Sequence, residues 1–327
     1  MLSENILGID YHEKSVQVCV MNPDGKTLGN RKLPNNLSEL YSYVSKFGKV
    51  EKGAVEVSCG SASFVDEARN LCGWNLSLCH PGYVNRMKNN PEKSDKDDAE
   101  LLADLCRVDY LPRVWLSPLR IRDLKQLVRY RSQQILFRKQ LKLRILSILR
   151  NFRVQKPEKF NMSTIWSRQW LLANLNVLEE NSAWVMGRLL THLEFIDEEV
   201  KLVDKRLSMW VESDPVTQWL MKLPNVGLVT ATLIRAEIGT ATRFLTGKQF
   251  ARFFALTPRN NSSGEKQADS GLIKAGSPVL KTVVIQVAHL LCRRDPRWNS
   301  FAKRLEEAGK PRQVVVASVA NRWIRSL

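Results

Sequence analysis

Four carboxylates occupy positions in this sequence from which they could share one metal site. Asp10 ends a short apolar run, NILGID, and Glu56 lies in the middle of the apolar segment AVEVS, where a carboxylate is costly unless it is paired or metal-bound. Asp95 and Asp98 are three residues apart in a helical segment, so both project from one helix face. Hard oxygen ligands that converge on one edge are what a pair of Mg²⁺ ions about 3.5–4 Å apart requires. The set therefore predicts a magnesium site with more than one ion.

Each carboxylate also has a purely structural interpretation. Asp10 could form a turn at the end of its strand. The segment Ser94–Asp97 resembles a helix capping box, and acidic residues in a first helical turn favour the helix dipole. Glu56 is the hardest to explain in this way. The ordered set Asp, Glu, Asp-x-x-Asp is more specific than any of its members.

Two adjacent serines could carry out nucleophilic chemistry. Ser262 and Ser263 lie in the polar stretch TPRNNSSGEKQADSGLIKAG. The basic residues around them are Arg259, Lys266 and Lys274. A serine hydroxyl among cations could attack a phosphodiester while the cations stabilise the developing charge. The alternative is an ordinary flexible loop rich in Asn, Ser and Gly.

The first third of the chain is predicted to form the sheet that positions the carboxylates. Apolar and alternating segments predict strands, and segments of helical spacing lie between the later ones. The predicted strands are 5–10, 15–21, 27–33, 54–58 and 75–80, and the predicted helices are 37–47, 62–71 and 94–107. Three antiparallel strands followed by alternating helices and parallel strands are the order expected of a ribonuclease-H-like α/β domain.

Two long helices are predicted in the middle of the chain. The first, Leu119–Phe152, is strongly basic. In the second, apolar residues alternate steps of four and three, which is typical of a coiled-coil seam. The seam residues are Leu189, Leu193, Ile196, Val200, Val203, Leu207 and Trp210. The two helices could form an antiparallel hairpin, a dimer contact, or both.

The positive charge of the chain is concentrated in two blocks. The net charge is +17, and residues 117–156 carry 12 basic and 1 acidic side chains, while residues 241–327 carry 16 and 5. Such blocks indicate polyanion-binding surfaces, with nucleic acid favoured, and two solvated basic faces are the alternative. The candidate nucleic-acid-binding residues of the first block are Arg120, Arg122, Arg129, Arg138, Lys139 and Lys142.

Other features limit the classes of protein to consider. The apolar fraction of 44% argues against a disordered chain, and no apolar run is long enough for a membrane span. The first residues lack a secretory signal, and the six cysteines show no disulfide-like spacing. A cytoplasmic location is therefore expected. Leu223–Val229 has the shape of a helix–hairpin–helix turn, which can offer backbone N–H groups to phosphate.

Several motifs together resemble the DEDD transposases of the insertion sequence 110 family, in the same superfamily as the pilin-gene invertases. They are ILGIDYHEKSVQV, AVEVSCG, EKSDKDDAELLA, LPNVGLVTATLIRAEIG and FFALTPRNNSSG with IKAG. The resemblance runs along nearly the whole chain. It implies an RuvC-like domain at residues 1–112, a coiled-coil linker at 113–215 and a mainly α transposase domain at 216–327.

The resemblance also implies roles for particular residues. The acidic tetrad falls on Asp10, Glu56, Asp95 and Asp98, and the TPRxxxSG match places the catalytic serine at Ser263, with Ser262 as the alternative. The family often has Ser or Thr where this chain has Ile273, which weakens any role for that position. Members of the family use a structured bridge RNA that pairs with target and donor DNA.

The function expected from these features is that of a recombinase. Mg²⁺ held by the tetrad and a phosphoserine–DNA intermediate would allow strand cleavage and exchange without net hydrolysis. A homodimer is expected, with four protomers at synapsis, in the bacterial cytoplasm at the nucleoid. The alternatives are a metal-dependent nuclease or Holliday-junction resolvase, and a non-catalytic nucleic-acid-binding scaffold.

Overall fold

The structure is a computed structural model that describes residues 4–82, 84, 94–260, 269–274 and 276–327. The chain forms two compact units, Met1–Ser117 and Pro118–Leu327. The three-part division expected from the sequence remains a prediction.

In the described part of the first unit, six strands form one sheet in the order β3-β2-β1-β4-β5-β6. The strands are β1 (Asn5–Tyr11), β2 (Ser15–Met21), β3 (Thr27–Pro34), β4 (Val50–Glu56), β5 (Leu76–Cys79) and β6 (Arg113–Val114). The helices are α1 (Leu37–Val44), α2 (Ser61–Cys72) and α3 (Asp95–Arg107). Strands β1 to β3 are antiparallel, and β4 and β5 run parallel to β1. This order confirms the predicted ribonuclease-H-like arrangement.

The side chains of β1 alternate between two hydrophobic layers. Leu7 and Ile9 are buried in the core that also contains residues of α1 and α2. Ile6 belongs to the core formed with α3. Because successive side chains of a strand point to opposite faces, Asp10 lies on the face that α3 covers.

Gly8 allows α3 to lie directly on the sheet. A Cβ atom at this position would lie 1.9 Å from the carbonyl oxygen of Ala99 and 2.5 Å from the backbone nitrogen of Ala103. Both atoms belong to the helix backbone, which cannot move aside as a flexible side chain can. The absence of a side chain at Gly8 therefore sets how closely the helix that carries Asp95 and Asp98 approaches Asp10.

We expect Gly8→Ala to destabilise the contact between β1 and α3 by about 3 kcal/mol, the upper end of the usual cost of overpacking. The measurement is hydrogen–deuterium exchange of peptides from β1 and α3, which should exchange roughly a hundredfold faster. The control is Gly187→Ala, where an added Cβ meets no atom within 4 Å. Exchange in the Gly8→Ala protein at the wild-type rate would contradict this account of the packing.

Two details of the sheet differ from expectation. Strand β4 ends at Glu56, so this carboxylate lies at the end of its strand and not in the middle. Strand β6 was not expected, because two residues are too few to produce a sequence pattern. It forms by pairing Arg113 and Val114 with Cys79 and Leu78.

The second unit is mainly helical, which confirms the predicted combination of an α/β domain with a helical remainder. Its helices are α4 (Leu119–Asn151), α5 (Ile165–Ala173), α6 (Glu180–Glu212), α7 (Pro215–Met221), α8 (Leu228–Ile238), α9 (Gly247–Phe253), α10 (Pro278–Arg294), α11 (Pro296–Glu307) and α12 (Arg312–Ile324). Strands β7 (Pro258–Asn260) and β8 (Asp269–Leu272) pair antiparallel. Among the helices of the described residues, none combines the length and apolar character that a membrane span needs.

The long helices α4 and α6 pack as an antiparallel pair. Arg131 donates to Asp204 at 2.6 Å, and Arg138 lies 3.3 Å from Asp197. Higher numbers on α4 thus meet lower numbers on α6. Of the predicted seam residues, all are buried except Ile196 and Trp210, which are half-buried. The antiparallel hairpin is therefore observed, while the coiled coil and the dimer contact remain predictions.

Candidate active site

The register of the sheet places three chemically important side chains on one row. Asp10 is paired with Gln17 of β2, and Gln17 is paired with Lys32 of β3. On the other side of β1, Ile9 is paired with Val55, which makes Glu56 the neighbour of Asp10. Directly opposed residues of adjacent strands project to the same face. The row therefore brings Lys32, Asp10 and Glu56 to the face covered by α3.

The first turn of α3 supplies the other two carboxylates. Ser94 is the N-cap, and its Oγ accepts a hydrogen bond of 3.3 Å from the backbone nitrogen of Lys96. Asn30 of β3 donates to the carbonyl oxygen of Lys96 at 2.9 Å, which fixes the start of the helix to the sheet. Helix capping is thus confirmed for Ser94. It is compatible with a ligand role for Asp95 and for Asp98, which is only 7% exposed.

Asp10, His12 and Asp95 form the centre of the cluster. One ligand atom of each lies within 4.8 Å of the others. The Nε2 atom of His12 is 3.2 Å from Oδ2 of Asp10 and 3.8 Å from Oδ1 of Asp95. The Nζ atom of Lys32 donates to Oδ2 of Asp95 at 2.8 Å. Two carboxylates therefore meet here with one imidazole and one ammonium group.

Burial and neighbouring charges together set the electrostatics of the cluster. Burial raises the pKa of the Asp10 carboxyl above its ordinary value, and the charges of Asp95 and Asp98 raise it further, against the lowering effect of His12. The hydrogen bond to Asp95 raises the pKa of the Lys32 ammonium. Opposite charge nearby stabilises an ionised carboxylate, and like charge destabilises it. The cluster therefore favours an additional positive charge.

A divalent cation fits this set of donors. Asp10 and Asp95 can each offer an oxygen within the observed spacing, and Asp98 is near enough to change the pKa of Asp10. Glu56 lies beside Asp10 by strand register. Carboxylate oxygens are the ligands that hard divalent cations prefer. The structure thus brings Asp10 and Asp95 together directly and places Asp98 and Glu56 next to them.

The residues predicted to bind nucleic acid differ in their surroundings. Arg120 donates to the carbonyl oxygen of Ser213 at 2.7 Å, and Lys142 donates to Oγ of Ser163 at 2.9 Å. Arg138 is paired with Asp197, as described above. The remaining predicted residues of α4 divide by exposure: Arg122 is half-buried, and Arg129 and Lys139 are exposed.

The basic residues near the predicted nucleophile lie beside an open cavity. Arg259, which is exposed, lines a cavity of about 560 Å³ together with Lys248 and Arg252. Among the described residues that line it, none is acidic. Lys274 is exposed as well. Ser262, Ser263 and Lys266 lie outside the described residues.

His12 and Lys32 belong to the cluster although the sequence patterns did not predict them as site residues. His12 follows β1 by one residue, so the motif that contains Asp10 could have indicated it. Lys32 reaches the site through the registers of two strand pairs, β1 with β2 and β2 with β3. Neither register is apparent from the sequence alone.

Two family models match this chain, one beginning in the first unit and extending into the second, and one within the second unit. A model of DEDD transposases of IS110 type, described as "Transposase", matches residues 7–153. A model described as "Transposase IS116/IS110/IS902 family" matches residues 217–303. The chain belongs to the IS110 family of DEDD transposases. This confirms the resemblance found in the motifs and makes the chain a transposase, an enzyme class that cuts and rejoins DNA.

Relatives of this transposase extend along most of its length. It is 25% identical over 290 residues to the transposase for insertion sequence element IS1111A of Coxiella burnetii, covering 88% of this chain and 78% of the relative. It is 23% identical over 298 residues to the transposase for insertion sequence element IS1328 of Yersinia enterocolitica, covering 90% and 86%. A solved structure of T. thermophilus RuvC in complex with a Holliday junction substrate matches 34% of the transposase and 99% of that chain, with 13% identity and a TM-score of 0.26.

Proposed function

We propose that this transposase is a Mg²⁺-dependent recombinase that exchanges DNA strands through a phosphoserine–DNA intermediate. A bridge RNA that pairs with target and donor DNA would select the sites. The observation that carries the proposal is the convergence of Asp10 and Asp95 within 4.8 Å, in a chain of the DEDD transposase family. Asp98 and Glu56 complete the proposed set of metal ligands.

The four carboxylates would bind the metal ions at the face of the sheet that α3 covers. Asp10 and Glu56 are fixed by neighbouring strands, and Asp95 and Asp98 are fixed by the capped start of α3. When bound, Mg²⁺ ions would polarise the scissile phosphate and stabilise the charge that develops on it. A ligand set on rigid elements keeps its geometry during the reaction, because neither the strands nor the first helical turn need to rearrange.

Ser263 is the proposed nucleophile. Its Oγ attacks phosphorus, and the new Oγ–P bond replaces one P–O bond of the DNA backbone. The serine proton is released, and the departing DNA oxygen takes up a proton to become a free hydroxyl group. The free hydroxyl group of another DNA strand then attacks the phosphoserine: a new P–O bond forms in the DNA, the Oγ–P bond breaks, and the serine oxygen takes up a proton. The strand is therefore rejoined without an external energy source.

The basic residues would hold nucleic acid by its backbone. Arg259, which precedes Ser263 by four residues in the sequence, offers a cation together with Lys248 and Arg252, which line the same cavity. Arg129 and Lys139 are exposed on α4. Phosphate contacts position nucleic acid without reading its sequence, so base pairing with the RNA would supply the specificity. Exchange between two DNA sites implies a dimer, or four protomers at synapsis, acting at the nucleoid.

The test is to purify the protein from its bacterial host, sequence the RNA that copurifies, and supply it with target and donor DNA. Strand exchange that follows the RNA sequence, and stops after ribonuclease treatment, is expected. Exchange at the same sites without RNA would contradict guidance. Cleaved DNA with free ends and no exchange would favour the nuclease or resolvase alternative. Binding without any reaction would favour the scaffold.

Lys32 gives a prediction about metal binding. Its ammonium group donates to Oδ2 of Asp95 and therefore competes with a divalent cation for the negative charge of this carboxylate. An exposed ion pair contributes little free energy, so the effect of removing it should be small. We expect Lys32→Met to tighten Mn²⁺ binding by about two- to fivefold. The measurement is titration calorimetry with Mn²⁺.

The control for Lys32 is Lys49→Met. Lys49 is also an exposed lysine paired with a carboxylate, that of Glu4, but it lies outside the acidic cluster. This variant should bind Mn²⁺ like the wild type. Weaker binding by Lys32→Met would show that Lys32 orders the metal ligands and does not compete with the cation.

A further inference from the structure

A second cavity lies beside strands β7 and β8, and Pro258 lines both it and the cavity that contains Lys248, Arg252 and Arg259. It has a volume of about 710 Å³ and is formed by the hairpin and helix α12. This size falls within the usual range for small-molecule sites. We call it the α12 groove.

The α12 groove combines an apolar floor with a cationic rim. Leu256, Leu272 and Val314 contribute apolar surface. The charged residues along it are Lys310, Arg322 and Arg325, all of which are exposed. Among the described residues that line the groove, none is acidic. A ligand that is apolar in one part and anionic in another fits this surface.

Part of the groove is held in place by contacts within the unit. The guanidinium group of Arg322 lies 4.4 Å from the centre of the Phe301 ring, which restrains it by a cation–π interaction. The side chain of Asn321 donates to the carbonyl oxygen of Leu256 at 2.9 Å and ties α12 to the floor. These contacts hold the rim and the floor at fixed positions relative to one another, as a binding site requires.

The chemistry of the groove favours a nucleotide. A nucleobase has an apolar face that can lie on the floor, and its phosphate can bind the cations of the rim. A base stacked in a duplex cannot present its face in this way, so the bound nucleotide must be unstacked. A small inorganic anion would make no use of the apolar floor.

The geometry points to the α12 groove as a binding site for one unstacked nucleotide of the DNA strand that Ser263 cleaves. This inference rests on the proposed function, because it takes the strand from the role given to Ser263. Strands β7 and β8 wall the groove, and Ser263 lies between them in the sequence. Holding the neighbouring nucleotide would fix the cleaved strand in place during the exchange.

The experiment uses single-stranded DNA that carries 2-aminopurine at successive positions around the cleavage site. The Ser263→Ala protein is used so that no chemistry occurs. Binding should brighten the fluorescence at one position, because an aliphatic floor does not quench the unstacked base. Arg322→Gln should remove this signal and lower the slope of log affinity against log salt by about one. Lys310→Gln serves as a second variant and should weaken both effects.

Arg304→Gln is the matched control. Arg304 also lies against the Phe301 ring, at 5.3 Å, but it does not line the groove. It should leave the fluorescence and the salt slope unchanged. An equal loss in both arginine variants would overturn the proposal, and so would an equal fluorescence signal with RNA of the same sequence.

The two proposals fail in different ways. The proposed function is tested by covalent adducts of the wild-type protein, and the groove is tested by fluorescence in a protein without the serine. Adducts without a fluorescence change at any position would overturn the groove proposal alone. A fluorescence change that depends on Arg322, with no adducts, would support the groove and contradict the serine chemistry.

Discussion

Ser263→Ala is expected to abolish covalent protein–DNA adducts, with strand exchange reduced by at least about a thousandfold. The reaction proposed here forms an Oγ–P bond, and alanine has no atom that can take its place. The measurement is denaturing electrophoresis of labelled DNA after reaction with the purified protein, Mg²⁺ and the copurifying RNA. Mass spectrometry of the digested adduct identifies the modified residue.

The neighbouring serine is the control for this prediction. Ser262→Ala should still form adducts, because the family motif places the nucleophile one residue later. Loss of adducts in Ser262→Ala but not in Ser263→Ala would transfer the role to Ser262. Adducts at the wild-type level in both variants would show that neither serine is the nucleophile. A wild-type protein that cleaves DNA but forms no adduct would be a nuclease or resolvase.

Much of the N-terminal sheet is predictable from its sequence. Strands β1 and β2 are apolar runs between turn-forming residues, and such runs are reliable signals. Strand β6 has no such signal, because its two residues depend on pairing with Leu78 and Cys79. The end of β4 shows a related limit. The apolar residues on both sides of Glu56 predict a strand that continues past it. Only the packing of the folded protein determines that the strand ends at Glu56.

The residues of the candidate site also differ in whether the sequence predicts them. Asp10 and Asp95 are predictable because one is the last but one residue of a strand and the other begins a helix, positions that bring side chains to one region of a ribonuclease-H-like fold. Lys32 is not predictable from pattern alone. Its approach to Asp95 requires the registers of two strand pairs, and a shift of one residue in either would turn it to the opposite face.

In the C-terminal unit, two strands form in a segment whose local sequence does not predict them. One interpretation of the polar stretch around the serines is a flexible loop, and strands β7 and β8 lie at its two ends. Pro258 and Asp269 belong to residue types with low strand propensity, so the sequence gives little indication of pairing. The pairing of Pro258 with Leu272 builds one wall of the α12 groove. Helix α12 was likewise not expected, and it supplies the opposite wall.

Asp10→Asn is the second substitution for which a large effect is expected. Asparagine has nearly the same shape as aspartate but lacks its negative charge, so the packing of β1 should be retained. We expect DNA cleavage to fall by about a hundredfold or more and Mn²⁺ binding to weaken, because a direct ligand has lost its charge. The measurements are the rate of DNA cleavage and calorimetric titration with Mn²⁺.

The control is Asp24→Asn, in the turn between β2 and β3. Asp24 is exposed and accepts a hydrogen bond of 3.2 Å from Asn22. Its substitution should leave cleavage and metal binding unchanged. Both variants should bind RNA and DNA like the wild type, since the basic residues are intact. Cleavage at the wild-type rate by Asp10→Asn would mean that the acidic cluster stabilises the fold and does not hold the catalytic metal, which is what the scaffold alternative requires.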